Sequence, residues 1–160
     1  MEGGDKADTI KSMSDIISNP IEQAHPIDVA FGAKKLNQRQ QRILDMLPEY
    51  GSQAVVNKRD VSMIDLAALT ANTSDEYVMF TRRGKRLVAR GDRNGIHFTF
   101  DEIAELKRQG YRWSGHTHPG FTEAHLIASD GDKRALVFFE QGNSVIYNSL
   151  GRYALIYPKE

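Results

Sequence analysis

"WSGHTHPG", Trp113–Gly120, holds two of the chain's five histidines, one residue apart and followed at once by Pro-Gly. On an extended strand, side chains at i and i+2 leave the same face, so His116 and His118 would aim both imidazoles into one small volume. Two imidazoles converging at the end of a strand make half of a metal site.

The neighbouring sequence supplies the elements around that strand. Just upstream, "TFDEIAELKRQG" opens on a Thr99 cap with Glu102 three residues later, carries Ile103 and Leu106 on one face and stops at Gly110, which predicts a helix. Before it, "EYVMFTR" and "KRLVARG" flank a short glycine-containing turn, a hairpin pattern. "MIDLAALTA", Met63–Ala71, predicts a helix capped by Ser62, and "LNQRQQRILDMLPEYG" an amphipathic helix ended by Pro48. After the histidines come a loop, a short helix across "DKRALVFFE" and a second hairpin, "SVIYNS" and "RYALIYP" around Leu150-Gly151. The order is mixed α/β, without an internal repeat. Residues 1–37 are polar and broken by Pro20 and Pro26; they read as a linker or lead-in with one short helix, Asp8–Ser18, ahead of a single domain at 38–160.

Composition bounds the chemistry. A chain of 160 residues with 40% hydrophobic residues supports one good core. The 21 basic and 21 acidic residues cancel, so no global field draws the chain to nucleic acid or an anionic membrane. The basic run "RRGKR", Arg82–Arg86, reads as a solvated hairpin turn. With no cysteine, disulfides, thiolate metal sites and cysteine nucleophiles are all excluded. Any metal must be held by His, Asp, Glu and water. No apolar run approaches the ~20 residues that span a bilayer, so the expectation is a cytoplasmic protein or a domain delivered within a larger one. Trp113, Phe138, Phe139, Tyr147 and Tyr153 read as core or sheet packing, and His25 and His97 as surface residues.

"LIASDGD" supplies Ser129, Asp130 and Asp132 soon after the histidines. Two imidazoles and a carboxylate suit Zn²⁺ and leave the fourth tetrahedral position for water, as a hydrolytic centre requires. Such a centre also needs a base that is not a ligand. Glu76, at the start of "EYVMFTR", would stand over the metal if its strand lies beside the histidine strand.

"GHTHPGF" followed by "SDGD", with Glu76 upstream, resembles the JAB/MPN (JAMM) zinc metallopeptidases, whose motif is Glu, then His-Ser/Thr-His-Pro, then Ser-x-x-Asp. The resemblance covers Met63 to the C-terminus. It implies a JAB/MPN-like, cytidine-deaminase-like mixed sheet flanked by helices. His116, His118 and Asp132 would bind Zn²⁺, Glu76 would act as general acid/base, and Ser129 would help stabilise the oxyanion. The implied reaction is hydrolysis of peptide or isopeptide bonds, with a protein or peptide substrate, ubiquitin-like proteins among them. Chains of this kind also resemble C-terminal domains of phage head or toxin-like proteins. The spacer "PGFTEAHLIA", ten residues between His118 and Ser129, is longer than the family's usual one. It leaves Asp130 and His125 as rival third ligands, and its extra length reads as an exposed excursion beside the cleft. Two other readings stand beside the peptidase: another zinc-dependent hydrolase or toxin effector on a related fold, and a metal-free JAB-like binding module.

Overall fold

The computed structural model describes residues 25–32, 34–96 and 98–158; the helix expected at Asp8–Ser18, and His97, lie outside the described residues. Six strands, β1 (Gln53–Asn57), β2 (Tyr77–Arg82), β3 (Lys85–Arg90), β4 (Arg112–Thr117), β5 (Ser144–Tyr147) and β6 (Tyr153–Ile156), form one open sheet in the order β1-β3-β2-β4-β5-β6. All neighbours run antiparallel except β4 and β5, which are parallel. A parallel pair needs a crossover, and here it contains the helix α5 (Asp130–Phe139). The two expected hairpins are β2–β3 and β5–β6, and the chain is mixed α/β.

The other helices are α1 (Pro26–Ala30), α2 (Gln38–Met46), α3 (Met63–Thr73) and α4 (Phe100–Arg108). Each of α2 to α5 opens on a reciprocal capping box, from Asn37, Ser62, Thr99 and Ser129. The helices cover opposite faces of the sheet and divide the core in two. On one face Leu66 and Leu69 of α3, with Ile43 and Leu47, pack on Tyr77, Met79 and Val88. On the other, Leu106, Leu136 and Phe139 pack on Val78, Phe80, Trp113 and Ile146. Burying each of these side chains contributes about 1.5–3 kcal/mol.

Two close approaches fix β4 within these layers. Thr117 Oγ1 bonds Thr70 Oγ1 of α3 at 2.6 Å and accepts from the Tyr77 N–H at 2.9 Å. Gly115 admits no side chain, since a Cβ there would stand 2.6 Å from Val145 and 3.0 Å from Met63. At the other side of α3, Arg39 and Gln40 of α2 bond the buried Asp65 carboxylate, which also completes the α3 cap.

Among the described residues, one strand and one α-helix were absent from the sequence reading. β1 is a short edge strand bonded only to β3, with only Ala54 and Val56 turned inward. α1 is a five-residue helix whose Pro26 is buried, lying against Gly151 of the β5–β6 turn. Among the described residues, no helix is long and apolar enough to cross a membrane.

Candidate metal centre

Strand register brings the expected residues together. His116 pairs with Ile146 of β5, and the His118 N–H donates to the Tyr147 carbonyl at 2.9 Å, so both histidines are held in the parallel pairing at the end of β4. On the other side Val78 of β2 pairs with His116, which sets Glu76, two residues earlier, across from His118. Glu76 is pinned through its backbone: its N–H donates to the Asp92 carbonyl at 3.0 Å and its carbonyl accepts from Gly91 N–H at 2.8 Å. Asp132 arrives from the first turn of α5. There its Oδ2 accepts from the Ser129 N–H at 2.9 Å, while the Ser129 Oγ accepts from the Asp132 N–H at 3.0 Å.

The polar atoms converge. His116 Nε2 and His118 Nε2 are 3.0 Å apart; Asp132 lies 3.2 Å from the first and 3.6 Å from the second, and Glu76 lies 3.9 Å from His118. Ligand atoms of Glu76, His116 and His118 all lie within 4.8 Å of one another, so by distance either carboxylate could complete a three-residue donor set. The contact of Asp132 with both imidazoles makes it the better placed of the two.

Protonation separates the groups further. Burial and the neighbouring His116 press His118 down to about 4, which leaves it a neutral imidazole near neutral pH, the form that ligates a metal. Burial pushes Asp132 up, but the hydrogen bond and charge of His116 and the Ser129 N–H outweigh it and hold the carboxyl at about 2. Glu76 is pushed up to about 8 by burial and by the charges of Asp132 and Asp92, so it holds a proton where Asp132 does not. One ionised carboxylate and one carboxyl that exchanges a proton near neutrality are different tools. A dication among them fits this donor set: it would relieve the mutual repulsion of two carboxylates and meet a His118 imidazole that is already unprotonated.

The rings are oriented differently. His118 bonds to the backbone of His125. His116 Nδ1 is buried without a hydrogen-bond partner, as is Trp113 Nε1; the His116 ring is set by packing on Trp113, centroids 5.0 Å apart. Metal-binding histidines commonly fix their second nitrogen by a hydrogen bond, so His116 departs from that pattern.

The rival ligands do not join the cluster, although His125 lines the same cleft. His125 Nδ1 faces Thr122, 2.9 Å from its Oγ1, and the His125 ring covers Gly120 so closely that no Cβ fits there. Asp130 is exposed at the start of α5 and makes none of these contacts with the imidazoles. The spacer is only partly an excursion. Phe121 to Ala124 are exposed, but Gly120 bonds Ser149 through both its N–H and its carbonyl, and Leu126 and Ala128 pack on the core.

Glu76, His116, His118, Ser129 and Asp132 share one cleft of about 850 Å³. Its far wall is apolar, built from Ile96, Phe98, Phe100, Ile103 and Phe138. Trp113 and Phe139 are core residues as expected, whereas Phe138 stands in this wall, edge-to-face with Phe100. Sequence reasoning had no signal for the wall, because the segment that brings Ile96 and Phe98 over the site has no regular periodicity. Comparison with protein-family models, with curated proteins and with solved structures gives no match.

Proposed function

We propose that the chain is a zinc-dependent peptidase of the JAB/MPN type, hydrolysing a peptide or isopeptide bond with water. The observation that carries the reading is the convergence of two imidazole Nε2 atoms, 3.0 Å apart, on an ionised Asp132, with a second, protonatable carboxyl alongside. His116, His118 and Asp132 would hold the metal. When bound, Zn²⁺ acidifies a water and polarises a carbonyl.

The chain's own groups do the rest. Glu76 would take the proton from the attacking water and return it to the leaving amine; the positive charge of a bound metal opposes the burial and carboxylate charges that raise this carboxyl and frees it to act as the base. Ser129 has its Oγ lone pair engaged by the Asp132 N–H, which leaves its hydroxyl proton to donate to an oxyanion. The aromatic and aliphatic wall excludes water from one side of the cleft and offers an apolar surface to the residue next to the scissile bond.

Purified protein should carry about one Zn²⁺ per chain, lost in His116→Ala and His118→Ala. Glu76→Gln should retain zinc and lose at least ~10²-fold in peptide hydrolysis, because a carboxamide cannot accept the proton. Protein that takes up no zinc on titration would overturn the reading. Loss of zinc in Glu76→Gln would make Glu76 a ligand.

A further inference from the structure

We infer that a second groove, at the end of the sheet remote from the imidazoles, binds an extended acidic peptide segment. The groove has a volume of about 1170 Å³, and among the described residues lining it are Lys58, Arg82, Arg83, Lys85, Arg86 and Arg112, with no carboxylate. In a chain whose formal charge is zero, six cations on one concavity mean that charge is segregated.

Three of the cations are held by neutral partners. Arg82 Nη1 donates to the Gln109 carbonyl at 3.1 Å, Lys85 Nζ to Asn57 Oδ1 at 2.9 Å and Arg86 Nη1 to the Val61 carbonyl at 2.6 Å. Among the described residues none of the six forms an ion pair. Arg82, Lys85 and Arg86 are therefore held in place while the charge of the whole set is left uncompensated. Arg86 goes further: its Nε is buried without a partner, and burial lowers its affinity for a proton. An incoming anion would relieve that cost.

Shape and lining select the anion. Thr81 and Ser114, bonded to each other at 2.5 Å, lie on the floor, and the side-chain amides of Gln109 and Asn143 stand at the rim. A groove of this size takes a single extended strand and not a duplex. Single-stranded nucleic acid is held by cations together with exposed aromatic rings on which bases stack. The one aromatic side chain in this lining, Trp113, is only 6% exposed. Hydroxyls, amides and arginine forks suit carboxylates and peptide groups. Arg112 is four residues before His116 on β4, so its place on the strand is about 13 Å from the imidazoles, and Trp113 lines both the groove and the cleft.

The test is fluorescence anisotropy of the full chain with a short labelled poly-glutamate peptide, alongside a poly-lysine peptide and an oligothymidylate of matched length. The poly-glutamate peptide should bind, weaken steeply as salt is raised, and weaken at least about tenfold in Lys58→Glu/Arg112→Glu. Both residues are exposed, and an unchanged melting temperature would show that the fold is intact; Lys58→Gln/Arg112→Gln gives the same readout should charge reversal impair folding. Equal affinity in the variants, no binding at low salt, or tighter binding of the oligothymidylate would overturn the proposal. Binding should be unchanged in Glu76→Gln, so the result stands apart from that of the peptidase reading.

Discussion

Glu76 and His118 face each other, and their perturbations oppose in sign. In protein stripped of metal by chelation, Glu76 holds its proton to about 8 when folded against an ordinary 4.5, so its contribution is fully present below 4.5 and is lost as pH rises toward 8. His118, at about 4 against an ordinary 6.5, contributes stability that is present above 6.5 and is lost as pH falls toward 4. From pH 4.5 to 6.5 the two slopes cancel, and above 6.5 the slope from Glu76 alone of this pair remains. Chemical denaturation of stripped protein should therefore show stability falling between pH 6.5 and 8, by at most about 1.4 kcal/mol per pH unit. Glu76→Gln should flatten that segment; an unchanged slope would assign it to other groups. The ligand choice is tested at the same scale. Asp132→Ala should weaken zinc binding strongly in a competition titration, while Asp130→Ala and His125→Ala leave it nearly unchanged, because only Asp132 touches both imidazoles. The histidine pair was legible in the sequence because a strand's period is two. Asp132 was reached only through the family resemblance, since a spacer of variable path separates it from the strand and Asp130 and His125 remained rivals by spacing alone.

The elements were legible where a cap and a period agreed. The helices now seen at Met63–Thr73 and Phe100–Arg108 each carried a capping residue, with a nearly unbroken apolar run in the first and an apolar stripe in the second, and both hairpins carried a turn signal. β1 failed to register because five residues with two inward apolar positions give too little alternation, and Val55 faces solvent. α1 has a single buried side chain, Pro26, within the element, and so no stripe to read. The spacer after β4 presents a further test. Gly120 has φ +140° and lies under the His125 ring, whose backbone in turn bonds His118. Gly120→Ala should cost about 1–3 kcal/mol in thermal or chemical denaturation and weaken zinc binding by shifting the His125 backbone that His118 leans on, a support that His125→Ala leaves in place, although residue 120 is no ligand. Retention of wild-type affinity would mean that His118 needs no support from the spacer.

For the whole molecule, the balance of 21 basic and 21 acidic residues told little about partners, because a sum carries no information on where charges sit. "RRGKR" does form the β2–β3 turn, as read, yet the fold also gathers Lys58 and Arg112 beside it from distant parts of the chain. The parallel pairing of β4 with β5 has a consequence in time. His116, His118 and Asp132 lie within the β4–α5 crossover, a short loop to close, whereas Glu76 belongs to a hairpin docked from far upstream. The proposed ligands should meet before the proposed base arrives. In stopped-flow refolding with zinc, capture of the ion, followed by loss of signal from a zinc-sensitive dye, should precede recovery of peptidase activity. A refolding chain would then pass through a zinc-loaded, inert stage, protected from cutting its neighbours while much of its own backbone is still exposed.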